Sequence, residues 1–127
     1  MSEIRIGNPL TPYAIADGAT INPGELVAIN AAGTAVPASD TAGLTVVGIA
    51  ERVDDGTVEV RCGIIGIAND ATAPVTRAMR AAAVYIKDAK TVAASATNKT
   101  PAGICVDVYE GTVYVDTTPA AIAAAKN

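Results

Sequence analysis

"VDDGTVEV" at 53–60 returns as "VYEGTVYV" at 108–115, in a chain of 127 residues. Each copy reads as the end of one strand, a tight turn and the start of the next. The turn is "DDG" in the first copy and "EG" in the second. Asp before glycine suits a hairpin, because both tolerate the positive φ that a two-residue hairpin turn demands. After the turn, Val58, Val60 and Cys62 alternate with Glu59 and Arg61. That period of two puts the apolar set on one face of a strand and the charges on the other.

Working outward, the repetition continues. Gly48-Ile49 precedes the first hairpin as Gly103-Ile104 precedes the second, at the same offset of 55 residues. Further upstream, "VAINAAGTAV" (27–36) is matched by "VYIKDAKTVA" (84–93), and "IADGAT" (15–20) by "IANDAT" (67–72). The offset changes between blocks, which places the length differences in loops. The second copy is longer around "PVTRAMRAAA", read as a loop or a short helical turn, and shorter in the small polar loop that corresponds to "PASDTAG".

A fixed internal period signals a repeated structural unit. Short β-branched runs between Gly, Pro and Asp turns, with little helix, point to an all-β fold. The expectation is a small barrel or sandwich built from duplicated β-hairpin units in one compact domain. Its parts are an extended arm at 1–14, a first repeat at 15–66, a second at 67–117 and a short helix at 118–127. The helix follows from "TPAAIAAAKN", with Thr118 as N-cap, Pro119 at the first helical position and Ile122 to dock it. So short a helix is not stable alone in water and has to pack.

Composition narrows the chemistry. The chain has no His, Phe or Trp, four Tyr and a formal charge of −4. Without His, the Ser-His and Cys-His catalytic arrangements are excluded. Cys62 and Cys105 have no zinc-ligand spacing and read as buried apolar thiols. Acidic residues at the hairpin tips (Asp54, Asp55, Glu110) are explained by turn formation, and the calcium-loop pattern is missing. A biotinyl or lipoyl carrier would present a lysine at the tip, and neither tip has one. The nine Lys and Arg are scattered, whereas nucleic-acid binding needs clustered positive charge. No window resembles a signal peptide or an apolar membrane span. The expectation is a non-enzymatic protein without cofactor or metal, binding neither nucleic acid nor membrane. A core of Val, Ile, Leu and Ala without large aromatics buries little area per residue, which favours burial between subunits.

The run "PGELVAINAAGTAVPASDTAGLTVVGIAERVDDGTVEVRCG" resembles the head-decoration, or capsid-cement, proteins of tailed bacteriophages, and so does "AVYIKD…PAGICVDVYEGTVYVD". The likeness lies in the order of elements: G-x-L-V and a strand, a short turn, a small polar loop, "VVGIA", then D-G-T-V-x-V. The resemblance implies a β-rich protein on the outer surface of the virion head, synthesised in the host cytoplasm. It implies a homotrimer near local three-fold positions that clamps neighbouring subunits of the major capsid protein, with an N-terminal arm over the shell. On this reading Ile4, Arg5, Ile6, Leu10 and Tyr13 contact the capsid, and Tyr109 and Tyr114 serve self-association. Tyr109 and Tyr114 stand where the first copy has Asp54 and Glu59. The residues alone leave open whether these tyrosines make an interface or cap barrel edges. Two other readings stand beside this one: a self-assembling tail or shell subunit, and a carbohydrate-binding β module on a virion surface.

Overall fold

A computed structural model describes residues 10–126. The described residues form ten strands and one α-helix: β1 (Leu10–Ala14), β2 (Leu26–Ile29), β3 (Ala35–Pro37), β4 (Thr45–Asp54), β5 (Thr57–Arg61), β6 (Ile64–Asn69), β7 (Ala83–Asp88), β8 (Thr91–Ala93), β9 (Pro101–Tyr109), β10 (Thr112–Asp116) and α1 (Pro119–Ala125). The all-β expectation is met. The first five strands form a sheet in the order β1-β5-β4-β2-β3, and the last five close a barrel in the order β10-β6-β8-β7-β9.

These are the same topology. Adding five to each strand number of the first sheet gives the cyclic order of the barrel. Corresponding strands also carry the same irregularities. Glu51 is the extra residue of a bulge between β4 and β5, and Val106 is its counterpart between β9 and β10. Both hairpin turns have positive φ at both central residues, 45° and 80° at Asp55-Gly56 and 49° and 81° at Glu110-Gly111. The units differ at one seam. In the second, β6 pairs with β8 in parallel through Ala68–Thr91 and Asn69–Val92, which closes the barrel. In the first, the same approach is a single parallel bridge, Ile15–Ala35.

The structural units begin earlier than the sequence copies suggest. Leu10–Ala14, expected in a free arm, is β1 and pairs along its length with β5. Pro12 belongs to this strand because β1 lies at the sheet edge, where a missing N–H costs no ladder bond. Similarly, Ile64–Gly66 opens the second unit instead of ending the first. The apparent single run "TVEVRCGIIGIA" breaks at Gly63, whose φ of 133° turns the chain from β5 into β6. The units therefore span about residues 10–61 and 64–116.

The two units share their interior. Strand β2 is the wall between them, and its alternation decides which residue faces which side. Val27 packs with Ile21, Ala35, Ala50, Val58 and Val60 in a core private to the first unit. Leu26 and Ala28 point the other way, into the core of the second unit beside Val84, Ile86, Val113 and Val115. This is why "LVA" is buried at all three positions. The backbone N–H of Leu26 also donates to the Ala89 carbonyl across the boundary, at 2.7 Å.

Helix α1 matches its expectation. Thr118 Oγ1 accepts from the Ala121 N–H at 3.3 Å, and Ala121, Ile122 and Ala125 are buried. The insertion at 75–83 contains a 3-10 turn, Arg77–Met79. Thr117 ties the last strand to the start of the second unit. Its buried hydroxyl accepts from the Gly63 N–H at 3.0 Å and donates to the Gly63 carbonyl at 2.8 Å.

Candidate interaction surface

Because the two units are copies, the outer face of one is an internal reference for the other. The first unit's face is charged. Across β4 and β5, Arg52 and Glu59 form an ion pair at 3.1 Å, and Glu51 and Arg61 another at 3.0 Å. The same positions in the second unit hold Asp107, Tyr114, Val106 and Asp116. The two arginines are replaced by aspartates, and the two glutamates by a tyrosine and a valine.

The register brings these side chains together. Tyr114 on β10 lies opposite Gly66 on β6 and opposite Asp107 on β9. A Cβ at Gly66 would sit 3.2 Å from the Tyr114 ring, so the glycine lets the ring lie close on the sheet. Ile64 is the diagonal neighbour of Tyr114 on β6, and Tyr109 is the diagonal neighbour on β9. Val106 lies at the bulge beside them. Ile64 and Tyr109 are each 58% exposed, with Val106 at 41% and Tyr114 at 38%. Single exposed apolar residues are ordinary, but contiguous ones mark contact sites.

One of the two aspartates on this face is held by the insertion. Arg77 Nε donates to Asp107 Oδ1 at 3.1 Å, and the Val108 N–H donates to the same oxygen at 2.8 Å. The Arg77 hydrogen bond, followed by that from Val108, holds the Asp107 carboxyl below the ordinary carboxylate range. A depressed folded value means that this contribution to stability is present above the unfolded pKa. It is lost as the pH falls through the folded one. In Arg77→Gln, the Asp107 carboxyl should titrate at a higher pH, measured by carboxyl NMR, with the hairpin intact.

The sequence-predicted residues separate into two groups. Tyr109 and Tyr114 come together on the second unit's outer face. Leu10, 44% exposed, opens β1 on the first unit. Tyr13 is half-buried against the first unit's own core, so it is anchored in the sheet and not in a free arm. Ile4, Arg5 and Ile6 lie outside the described residues. Ile64 and Val106 were missed. Ile64 is hidden within the apolar run "GIIGIA", and Val106 follows Cys105 where a bulge resets the alternation. Val106 stands where the first copy has Glu51, and Ile64 where β1 has Leu10, so only the strand register brings both onto this face.

A second feature is formed by other residues. A cleft of about 280 Å³ opens between β1, β4 and α1. Val46, Val47, Val60 and Ile122 make its apolar lining, and Tyr13 forms one wall. Lys126 is at its rim, with Nζ donating to Thr45 Oγ1 at 3.1 Å. Cys62 also lines it and is partly exposed, which corrects the expectation of two buried thiols. Cys105 is buried, and burial pushes its thiol pKa up. Both cysteines are free.

Among the described residues no group of three His, Cys, Asp or Glu side chains could hold a metal ion. No helix among them is long and apolar enough to cross a membrane. No family model matches the chain, and neither a curated protein nor a solved structure does.

Proposed function

We propose that this protein is a non-enzymatic virion structural protein that decorates and cements a phage head. It binds the outer surface of the major capsid protein lattice and associates with itself as a trimer. The observation that carries the reading is the exchange on the duplicated face. Where one unit keeps ion pairs, the other presents Ile64, Val106, Tyr109 and Tyr114 to solvent. Uncompensated apolar exposure of this kind is the property of a surface that meets another protein. A cement protein has to add contacts across subunit boundaries and needs no chemistry of its own. The order of elements shared with decoration proteins supplies the identity of the partner.

In this reading the head-binding segment is the part before β1, with Ile4, Arg5 and Ile6 making the contacts. Because β1 starts at Leu10, a clean test removes residues 2–8 only. The truncated protein should keep its melting temperature within about 2 °C, since no described strand is lost. It should lose at least about tenfold in affinity, worth about 1.4 kcal/mol, in co-sedimentation with heads of the phage that encodes it. Full-length protein that fails to bind those heads overturns the reading. Truncated protein that binds as well as full-length overturns the role of the arm. Open polymers of the isolated protein in light scattering would favour a tail or shell subunit instead.

A further inference from the structure

The cleft beside α1 and the exposed hairpin tip of the second unit are complementary. We propose that the cleft is the socket for the Tyr109–Gly111 hairpin tip of a second copy of this chain. This deepens the self-association half of the proposed function, on which it rests. It requires no capsid.

Three observations select this occupant. The first is shape and apolarity. Tyr109 is 58% exposed and stands at the start of a two-residue turn. Because φ is 49° at Glu110 and 81° at Gly111, the turn is already in its hairpin conformation. An aromatic side chain on a preorganised turn loses little freedom on docking. The cleft offers Val47, Val60 and Ile122 to its ring.

The second is charge. Lys126 at the rim forms no ion pair among the described residues, and Glu110 next to Tyr109 forms none either. Seating the ring brings the Glu110 carboxylate to the rim where the ammonium is, so the pair stays at the wet edge.

The third is uniqueness. The first unit's tip has the same backbone but carries Asp54-Asp55 in place of Tyr109-Glu110. A carboxylate in place of the ring would be desolvated in the cleft without compensation. Each chain therefore has one plug and one socket, on different units. Among the described residues the plug is exposed and nothing fills the socket, and the proposed contact is between chains. A contact between two different patches is heterologous and propagates head to tail until the rotation closes a ring. A trimer is one such ring.

The same asymmetry supplies the test. Tyr109→Asp gives the second tip the residue that the first already folds with at that place, so the hairpin should form. Ala123→Trp, at an exposed helix position lining the cleft, fills the socket. Both variants should keep the wild-type circular dichroism and melt cooperatively. Light scattering and sedimentation should find the wild type associated. Each variant should be weakened by roughly 30-fold or more, the weight of one anchoring aromatic. An equimolar mixture of the two variants should form a two-chain complex and stop there. The Tyr109→Asp chain brings an intact socket, the Ala123→Trp chain an intact plug, and no further contact remains. Cys62, inside the socket, should react more slowly with a maleimide in the wild type than in Tyr109→Asp. A monomeric wild type overturns the proposal, and so do variants that associate as the wild type does. A mixture that stays monomeric overturns it too, and assigns any wild-type contact to a tip-to-tip arrangement. Equal Cys62 reactivity in wild type and variant also counts against it. All of these are read on the isolated protein, so head binding is judged separately.

Discussion

Gly103→Ala should cost roughly 3–5 kcal/mol of stability, the sum of a strained backbone and an overpacked contact. That is a large fraction of the about 5–15 kcal/mol that holds a domain of ordinary size. Two effects coincide at this residue. Its φ is 148°, a region that side chains other than glycine's rarely enter. A Cβ there would also strike the backbone carbonyl oxygen of Asp116 and come within 2.9 Å of Val115 Cγ1. The carbonyl belongs to the neighbouring strand β10, so relief requires opening the ladder. Gly48 is the counterpart in the first unit, with φ of 143°, the Arg61 carbonyl in the way and Val60 Cγ1 at 2.8 Å. The two substitutions should therefore cost similar amounts. Gly18→Ala is the control, because φ is 80° there and nothing lies within 4 Å of the added carbon. It carries the conformational cost alone, about 1 kcal/mol. Thermal melts should place Gly103→Ala and Gly48→Ala roughly 10–20 °C below the wild type, and Gly18→Ala only a few degrees below. If Gly103→Ala melts with Gly18→Ala, the close approach of the strands does not control stability.

These two glycines show what the sequence carries and what it hides. Gly48-Ile49 and Gly103-Ile104 are visible as repeated pairs, and the repeat alone is enough to predict a duplicated β unit. Their reason is not visible, because it lies in a carbonyl on the paired strand. The turns behaved differently. Asp55-Gly56 and Glu110-Gly111 are local devices, so their chemistry can be read directly. Boundaries failed where a local rule had two meanings. Pro12 disfavours a central strand but is acceptable at an edge, and only the topology says that β1 is an edge. Gly63 inside an apolar run could have been a bulge, and it is the crossing between units. The candidate surface was half legible. Tyr109 and Tyr114 stand out as replacements of acidic residues. Ile64 and Val106 do not, since an exposed aliphatic residue and a buried one look alike until the register is known.

The remaining large effect tests whether duplication produced two lobes or one domain. Leu26→Ala should destabilise the whole chain by about 2–5 kcal/mol, the usual range for a buried leucine, with the value set by how far the site collapses. Leu26 belongs to the first unit by sequence and strand pairing. Its side chain is fully buried in the cluster with Val84, Ile86, Val113 and Val115, all of the second unit. Its counterpart in the second copy is Ala83, which is only half-buried and reaches into no sister core. The units are therefore not interchangeable. First-unit side chains, Leu26 and Val46 among them, cross the boundary in one direction, and β2 serves both cores. The expected result is a single cooperative transition, shifted as a whole, with calorimetric and van't Hoff enthalpies in agreement. Val27→Ala, one position along, removes packing from the first unit's private core and should shift the same single transition. A Leu26→Ala protein that unfolds in two steps, with the first unit melting at the wild-type temperature, would mean that the cores are separate. In that event β2 would be a partition between an independent sheet and an independent barrel. If the transition stays single, the charged face and the apolar face are fixed to one rigid body. A head-to-tail contact needs that rigidity, because the angle between plug and socket sets whether the assembly closes.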